Sequence, residues 1–384
     1  MRTIMDYLAT QFASFDEEPF CAVDALVLSE FCMVRMEHVL PPMRLAETRI
    51  GRAAARLRAY ADARRGVRFK DALMAEHYAD MFTGLVPDKV KELAYALAAS
   101  PRFRDMELRA CASVFDEQAC TQFAALSFSH RNDFAFVGFR GTDTSFTGWR
   151  EDFAMAYSDR VPAQESAVRY LDAAAPLLPK RIYVGGHSKG GNLALCAVAR
   201  CAPKTRARIA RVFAFDAPGF RPGGLSDAQR AALREAAVHY VPRESFVGML
   251  MDNPAPRIAV RSSASGIWQH DPFSWGVAGF DFQRCDGVAF SSLFARDVAD
   301  AWLARYDEAK TRAIVDALFE AMKASGACDF ADILTFGPQS AALLRDAAKR
   351  TDGAAKELLM EAAGDLAEAV ARRAWRGKEG PGGR

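Results

Sequence analysis

Residues 181–199 read RIYVGGHSKGGNLALCAVA and contain the pattern G-x-S-x-G as Gly186, Ser188 and Gly190. An apolar strand-like run leads into the pattern, and an apolar helical pattern leaves it. A serine in this context lies at a tight, strained strand-to-helix turn, where the flanking glycines allow close backbone approach. The stretch predicts a nucleophile elbow with Ser188 as the nucleophile. It does not fit a phosphate-binding loop, since neither GxGxxG nor GxxxxGK[ST] is present.

Further strand-like runs surround this elbow. They lie at 107–115, 121–129, 133–140, 181–186, 210–216, 237–242 and 258–263, and helical patterns lie at 163–178, 189–201 and 226–236. Short gaps between the first three runs predict an antiparallel meander, and the later alternation with helices predicts parallel βαβ units. We therefore expect an α/β-hydrolase, lipase-like fold with a mostly parallel sheet.

Helical patterns dominate both ends of the chain. In the first part they cover 23–40, 46–65 and 88–100, where Asp88 is a candidate N-cap, and in the last part they begin near residue 290. We expect a helical N-terminal extension over 1–103, an α/β-hydrolase core over 104–285 and a helical C-terminal extension over 286–384 packed on the core.

Composition and charge narrow the function classes. The chain is 51% hydrophobic and 26% charged, and its net charge of +2 gives no strong electrostatic case for nucleic acid or an anionic membrane. No apolar run is long enough to span a membrane, and no export signal precedes the first helix. The eight cysteines include no CxxC pair. These features favour a reduced, cytoplasmic protein without a transmembrane segment.

The segment after the run 133–140 is a candidate oxyanion loop, with the sequence Gly141-Thr142-Asp143. In an α/β-hydrolase, one oxyanion donor follows the nucleophile and the other comes from the loop after an earlier strand. The predicted donors are the backbone N–H groups of Lys189 and Thr142, with the Thr142 hydroxyl as a possible addition. The alternative is a local turn in which Thr142 and Asp143 satisfy nearby backbone groups.

Two of the six histidines follow Ser188 in the chain, as the triad order Ser, acid, His of this fold requires. His270 stands in the loop sequence SGIWQHDPFSW after the last strand-like run, so it is the predicted base. His239 lies inside the run 237–242, where side chains alternate between sheet faces, and it is the alternative.

The predicted acid is Asp216, which ends the run 210–216 and is followed by Ala-Pro-Gly-Phe. A carboxylate at the end of the strand after the elbow helix could orient His270 and stabilise its protonated form. Glu244, after the next strand-like run, remains the alternative acid.

Six motifs occur in the order FRGTD, GWREDF, GGHSKGGNLA, FDAPGF, VPRESFVGML and QHDPFSW. Together with the N-terminal sequence, over residues 1–325, they resemble the Mbeg-like family of bacterial α/β-hydrolases, which is related to the class 3 lipases. The resemblance implies a lipase-like catalytic core with Ser188 as nucleophile and Thr142 near the oxyanion hole. Class 3 lipases usually carry an aspartate near the position of Ser245. FDAPGF instead resembles the Leu-Asp-Pro-Ala turn of pancreatic-type lipases, which favours Asp216 and leaves Glu244 open.

These residues predict a serine hydrolase of lipase or esterase type, which cleaves an acyl or lipid ester with no metal or organic cofactor. Apolar residues at 249–256 and 273–280 are candidates for an acyl pocket, a lid or simply core. A thioesterase or peptidase with the same residues stays open, as does the oligomeric state. A catalytically silent α/β-hydrolase scaffold that binds a partner through its Ala- and Arg-rich helices at 46–65 and 340–376 is the rival hypothesis.

Overall fold

The computed structural model describes residues 1–45, 66–325 and 351–378. The helix predicted at 46–65, residues 340–350 of the segment 340–376 and Cys328 lie outside these residues. The strands are β1 (Val67–Arg68), β2 (Glu107–Asp116), β3 (Thr121–His130), β4 (Phe134–Phe139), β5 (Arg181–His187), β6 (Ile209–Phe215), β7 (Ala237–Pro242), β8 (Arg257–Val260), β9 (Val277–Ala278) and β10 (Asp281–Phe282).

The helices differ widely in length. They are α1 (Ile4–Thr10), α2 (Ala22–Phe31), α3 (Tyr78–Met81), α4 (Pro87–Ala99), α5 (Phe146–Ala154), α6 (Pro162–Ala174), α7 (Lys189–Arg200), α8 (Pro203–Arg206), α9 (Asp227–Ala236), α10 (Phe290–Leu303), α11 (Glu308–Ala324) and α12 (Gly353–Lys378). Single 3₁₀ turns lie at Phe69–Asp71, Ala75–His77, Ala175–Leu177, Val247–Met249, Gly266–His270 and Pro272–Ser274.

Strands β1 to β8 form one sheet in the order of the chain. Strands β1 to β4 pair antiparallel, and β4 to β8 pair parallel, with Val137 beside Val184 and Val184 beside Val212. The predicted meander and parallel units are therefore confirmed. The sheet has the mostly parallel arrangement of an α/β-hydrolase fold, with an antiparallel edge and flanking helices. A separate hairpin joins β9 to β10.

Both faces of the sheet are buried because strand side chains alternate between two apolar clusters. In β4, Phe134 and Phe136 face the cluster that contains α2, whereas Val137 and Phe139 face the cluster that contains α6 and α7. Strand β6 alternates in the same way. The parallel strands therefore lie between two helical layers, and their carboxyl ends meet at one edge.

The N-terminal helices form part of the core. All ten residues of α2 are buried, seven of them apolar, and the other three are Asp24, Ser29 and Glu30. The helix predicted over 23–40 ends earlier, at Phe31. The Arg140 guanidinium donates to the carbonyl oxygens of Cys32 and Val34 at 2.6 and 3.0 Å, so these carbonyls do not accept helical hydrogen bonds.

The predicted helix at 88–100 is confirmed as α4, but its N-cap is Val86. Pro87 begins the helix and Asp88 lies in its first turn, where its negative charge interacts favourably with the positive end of the helix dipole.

In the C-terminal part, a short turn separates α10 from α11, and Asp307 at the end of this turn is the N-cap of α11. Phe319 of α11 packs against α5, where its ring meets Phe146 at 6.3 Å.

The cysteines of the described ranges are all free thiols. Among the helices described, none is both long and apolar enough to cross a membrane.

Candidate active site

Ser188 lies between β5 and α7, in the turn that the sequence predicts. Its backbone has φ 56° and ψ −128°, a conformation that L-residues rarely adopt. A Cβ on Gly190 would overlap the carbonyl oxygen of Phe139, and one on Gly186 would overlap the carbonyl group of Gly190. The turn can therefore be this tight only because both flanking residues are glycines.

The side chains of Ser188, His270 and Asp216 form a line of hydrogen bonds. His270 Nε2 lies 3.1 Å from Ser188 Oγ, and His270 Nδ1 lies 2.7 Å from Asp216 Oδ2. A carboxylate can only accept, so Nδ1 carries the proton and Nε2 is free to accept the serine hydroxyl hydrogen. Asp216 is fully buried, while 31% of the His270 side chain is exposed.

The second oxygen of Asp216 is also satisfied. Asp216 Oδ1 accepts from the Ser245 hydroxyl and from the Gly248 N–H at 3.1 Å. Burial acts to raise the pKa of Asp216, but the hydrogen bond and charge of His270 and the Ser245 hydroxyl outweigh it and lower the pKa. Ser245 follows β7, near the position at which the resemblance to class 3 lipases would place an aspartate. Its hydroxyl donates to Asp216, which follows β6.

The two alternatives lie elsewhere. Glu244 Oε2 accepts from the Gly266 N–H at 2.6 Å and from the Gln269 side chain at 3.1 Å, so it braces the turn that carries His270. His239 is fully buried, and its Nε2 accepts the Ala217 N–H at 3.1 Å. Burial lowers the pKa of His239 to about 3, which keeps its ring neutral.

The predicted oxyanion loop runs beside Ser188. A Cβ on Gly141 would lie 3.9 Å from Ser188 Cβ and 3.2 Å from the carbonyl oxygen of His187. Lys189 is the first residue of α7, so its N–H has no acceptor within the helix. The Thr142 hydroxyl donates to Asp152 Oδ2, which leaves the backbone N–H as the donor that Thr142 offers.

The Lys189 side chain is fully buried beneath this loop. Its Nζ lies 2.7 Å from Glu151 Oε2 and 3.3 Å from Asp152 Oδ1, and it also donates to Gln122 at 3.2 Å. Burial acts to lower the pKa of Lys189, but the two carboxylates raise it. This ion-pair cluster joins the elbow to α5 and holds the acceptor of the Thr142 hydroxyl in place.

Sequence reasoning missed one interaction beside the elbow. His187, the residue before the nucleophile, places Nε2 3.0 Å from the carbonyl oxygen of His270 and Nδ1 3.1 Å from Glu30 Oε1. Glu30 belongs to α2 and is only 3% exposed. An acidic residue in a mostly apolar helix was the available signal, because a buried group of this kind needs a partner.

One of the two apolar segments named as lid candidates, 273–280, lies in the core. Phe273, Trp275 and Val277 are buried in the core, so 273–280 is not a lid. Exposed apolar side chains instead come from the turn that carries His270, where Ile267 is 49% and Trp268 is 59% exposed. Around the site and over the rest of the described chain, His, Cys, Asp and Glu side chains form no group of three or more suited to a metal ion.

Comparison with known proteins gives one family match. The sequence model of the Mbeg1-like family matches residues 97–320, whereas the resemblance of residues 1–96 stays a prediction. A comparison with curated proteins finds no match. A crystal structure of M37 lipase aligns at 18% identity and a TM-score of 0.30, over 42% of this chain and 62% of that chain. The alignment spans less than two thirds of that lipase. The fold assignment therefore depends on the sheet topology of this chain. Since the family match covers more than half of the sequence, the chain belongs to the Mbeg1-like family.

Proposed function

We propose that this protein is a serine hydrolase of lipase or esterase type that cleaves a carboxylic, acyl or lipid, ester. The observation that carries the proposal is the hydrogen-bonded line from Ser188 Oγ through His270 to the buried Asp216. Its three members come from separate elements of the fold and meet where the carboxyl ends of β5 and β6 lie side by side. A nucleophile hydrogen-bonded to a base that a third group orients is the arrangement acyl transfer needs.

In the first half of the reaction, His270 Nε2 takes the proton of Ser188 Oγ as the oxygen attacks the ester carbonyl carbon. The Lys189 and Thr142 N–H groups donate to the oxyanion of the tetrahedral intermediate. The imidazolium, stabilised by Asp216, then gives its proton to the departing alkoxide, which leaves as an alcohol. The acyl group stays on Ser188.

In the second half, His270 takes a proton from a water molecule, and the resulting hydroxide attacks the acyl carbonyl. The same donors hold the second oxyanion. When this intermediate collapses, the Ser188 oxygen leaves and takes the proton from His270, and the carboxylic acid is released. The Ser188 proton leaves with the alcohol and a proton from water replaces it, so both side chains recover their starting protonation states and the cycle consumes only ester and water.

An apolar acyl group fits the surroundings of Ser188. Ile267 and Trp268 present exposed side chains on the turn that carries His270, and Phe246, next to Ser245, is 42% exposed. In addition, a Cβ on Gly141 would lie 3.9 Å from Met33 Sδ, so a thioether borders the oxyanion loop. These neighbours favour contact with hydrocarbon over contact with a charged peptide.

The test is active-site labelling of the purified protein with a fluorophosphonate, together with hydrolysis of p-nitrophenyl esters of increasing acyl length. Ser188→Ala should abolish both. His270→Ala should slow labelling by roughly 10²- to 10⁴-fold, since it removes the general base. Asp216→Asn should have a comparable effect, because it favours the wrong His270 tautomer.

Glu244→Gln is the matched control for Asp216→Asn, because both replace a carboxylate near the His270 turn by an amide. It should label within a fewfold of wild type. A larger effect of Glu244→Gln than of Asp216→Asn would assign the acid role to Glu244. A folded wild-type protein that neither labels nor hydrolyses any ester would contradict the enzyme and favour the silent scaffold.

A further inference from the structure

A second carboxylate–histidine pair lies directly behind the proposed base. His187, the residue before Ser188, bridges Glu30 of α2 and the backbone of His270, with contacts of 3.1 Å at Nδ1 and 3.0 Å at Nε2. The rings of His187 and His270 are adjacent, with centroids 4.6 Å apart. The Trp275 ring, 6.5 Å away and nearly perpendicular, borders His187 on another side.

The partners of His187 favour its charged form. The Nε2 contact with the His270 carbonyl is a hydrogen bond and the Nδ1 contact with Glu30 has the distance of an ion pair, and both are favourable only if both ring nitrogens carry a hydrogen. That form is the imidazolium. Burial acts to lower the pKa of His187, but the charge and hydrogen bond of Glu30 raise it above its ordinary value, with Asp216 and Asp271 adding to the effect.

The contact of His187 is made to His270, the proposed base, which must stay close to Ser188. The His270 turn is otherwise held through its neighbours, since Glu244 binds Gly266 and Gln269, and the Trp275 ring N–H donates to the Gln269 carbonyl at 2.8 Å. The bond from His187 is made to the backbone of His270 itself. Together with the bond between the His270 ring and Asp216, it helps to set how far His270 Nε2 lies from Ser188 Oγ.

We infer that Glu30 and His187 are positioning residues of the proposed hydrolase, in which a charged His187 holds the His270 backbone carbonyl. The inference rests on the proposed function. It gives the N-terminal helix α2 a part in the site, because Glu30 supplies the negative charge on which the imidazolium depends. Neither residue touches the substrate or the reacting atoms.

The arrangement has a pH signature. A neutral His187 carries one hydrogen only, so it must give up either Glu30 or the His270 carbonyl. The titratable groups that face His187 are the adjacent His270 ring, Glu30 from α2, Asp216 after β6 and Asp271 after the His270 turn, where Lys89 of α4 pairs with Asp271. All the carboxylates favour the charged ring, and none supplies a donor to replace it. The rate should therefore fall at alkaline pH as His187 loses its proton.

The experiment compares His187→Gln and His187→Phe with wild type in ester hydrolysis between about pH 5 and about pH 10. A Gln side chain can place its amide N–H near the position of Nε2 without titrating, whereas Phe keeps the ring and removes the donor. His187→Phe should lose roughly 10- to 100-fold in kcat with little change in KM, as expected for one charge-assisted hydrogen bond. His187→Gln should recover most of this rate and lack the alkaline fall.

Exposed His38, whose ring stacks on His77, serves as the matched control, and His38→Gln should follow the wild-type profile. The inference is overturned if His187→Phe turns over like wild type, or if His187→Gln keeps the wild-type alkaline fall. If His187→Phe does not fold, the His187→Gln profile decides alone. If wild type shows no turnover that depends on Ser188, both proposals fail. If turnover depends on Ser188 but ignores His187, only this inference fails.

Discussion

At the scale of single residues, two members of the proposed site have strained backbone, as do four other non-glycine residues of the described chain. Ser188 and Asp216 have φ values of 56° and 41°, which L-residues avoid because Cβ crowds the backbone. Each such residue costs about 1–3 kcal/mol. The strain is held by main-chain bonds to neighbouring strands, since Ser188 N–H donates to Phe215 at 2.9 Å and Asp216 N–H donates to Tyr240 at 2.7 Å. The sheet thereby fixes the nucleophile and the acid in register with one another.

Gly190→Ala should destabilise the protein, because the new Cβ would overlap the Phe139 carbonyl, which belongs to the sheet and cannot easily move. We expect a loss of at least about 3 kcal/mol in the free energy of unfolding, similar to severe overpacking of a core. Urea unfolding measures it. Gly364→Ala is the control: no atom lies near a Cβ on exposed Gly364 of α12, so this change should stabilise by about 0.5–1 kcal/mol. Equal effects of the two changes would contradict the assignment.

Asp152→Asn should stabilise the protein at pH 8. Burial raises the pKa of Asp152 to about 6, although Lys189 and the Thr142 hydroxyl act to lower it. The folded state therefore keeps a proton between about pH 4 and pH 6 that the unfolded state has lost, so stability falls as pH rises through this window. An amide removes that penalty. We expect a gain of about 1–3 kcal/mol at pH 8 and none near pH 4, measured by urea unfolding at both values.

Glu151→Gln provides the contrast. Glu151 accepts hydrogen bonds from Lys189 and from the Gln122 and Ala163 N–H groups, and it is buried. Its loss leaves the buried Lys189 without its closest partner, so Glu151→Gln should destabilise the protein at both pH values. A pH-independent effect of Asp152→Asn would contradict a raised pKa of Asp152 in this window.

The sequence was sufficient to select the three side chains that the fold brings together, but not the residues that contact and position them. Ser188 was predictable from its glycines, and His270 from its loop after the last strand. The contacts of Glu30 with His187 and of Ser245 with Asp216 join parts of the chain far apart in sequence, and no local pattern encodes which of several polar residues will meet. Only the packing of α2 on the sheet brings Glu30 to the elbow.

At the scale of elements, the strands were predictable because short, nearly continuous apolar runs between turns are typical of strands in a sheet buried on both faces. The end of α2 was not. Helical periodicity continues past Phe31, but the buried Arg140 takes the carbonyls of Cys32 and Val34. Tertiary hydrogen bonds thus override the local preference for helix. They also hold the segment after α2 beside the oxyanion loop, because Arg140 directly precedes Gly141.

One buried ion pair ties the N-terminal elements together. Arg102, after α4, binds both carboxylate oxygens of Asp24 in α2 at 2.9 and 2.6 Å, and both side chains have no exposed surface. The same guanidinium donates to carbonyl oxygens of the segment before α2, namely those of Ala13, Ser14, Glu18 and Pro19. Its donors are therefore matched by acceptors from three parts of the chain.

Arg102→Met should lower the free energy of unfolding by about 3–5 kcal/mol, because it leaves the Asp24 charge buried without its partner. Thermal or urea unfolding measures the loss. Arg104→Met is the control, since Arg104 is half exposed and lies 3.9 Å from Asp105 at the surface, where an ion pair is worth little. Adding Asp24→Asn to Arg102→Met should recover part of the stability. No recovery would show that packing, and not the unpaired charge, dominates.

At the scale of the whole molecule, the ends of the chain differ in how they join the sheet. The N-terminal helix α2 lies on the face that holds Phe128, Phe136, Phe213 and Phe215, whereas α12 packs against α10 and α11. The contacts of α12 include ion pairs such as Arg305 with Asp365 and Arg373 with Asp297, together with the Trp302 ring N–H on the Ala362 carbonyl. The N-terminal region therefore completes the core, and α12 adds to its outside.

Two deletions test this difference. A chain that lacks residues 1–96 retains the whole family match, yet it would expose one entire apolar face of the sheet and lose Glu30. Such a chain should be insoluble or lack cooperative unfolding, and it should not label with a fluorophosphonate, because burial of that face supplies much of the stability.

A chain that ends at residue 350 loses α12 and should remain folded, soluble and labelled at a rate close to wild type. Solubility, thermal unfolding and labelling together distinguish the outcomes. A soluble, labelled protein without residues 1–96 would show that the family core folds alone and that α2 has no part in the site.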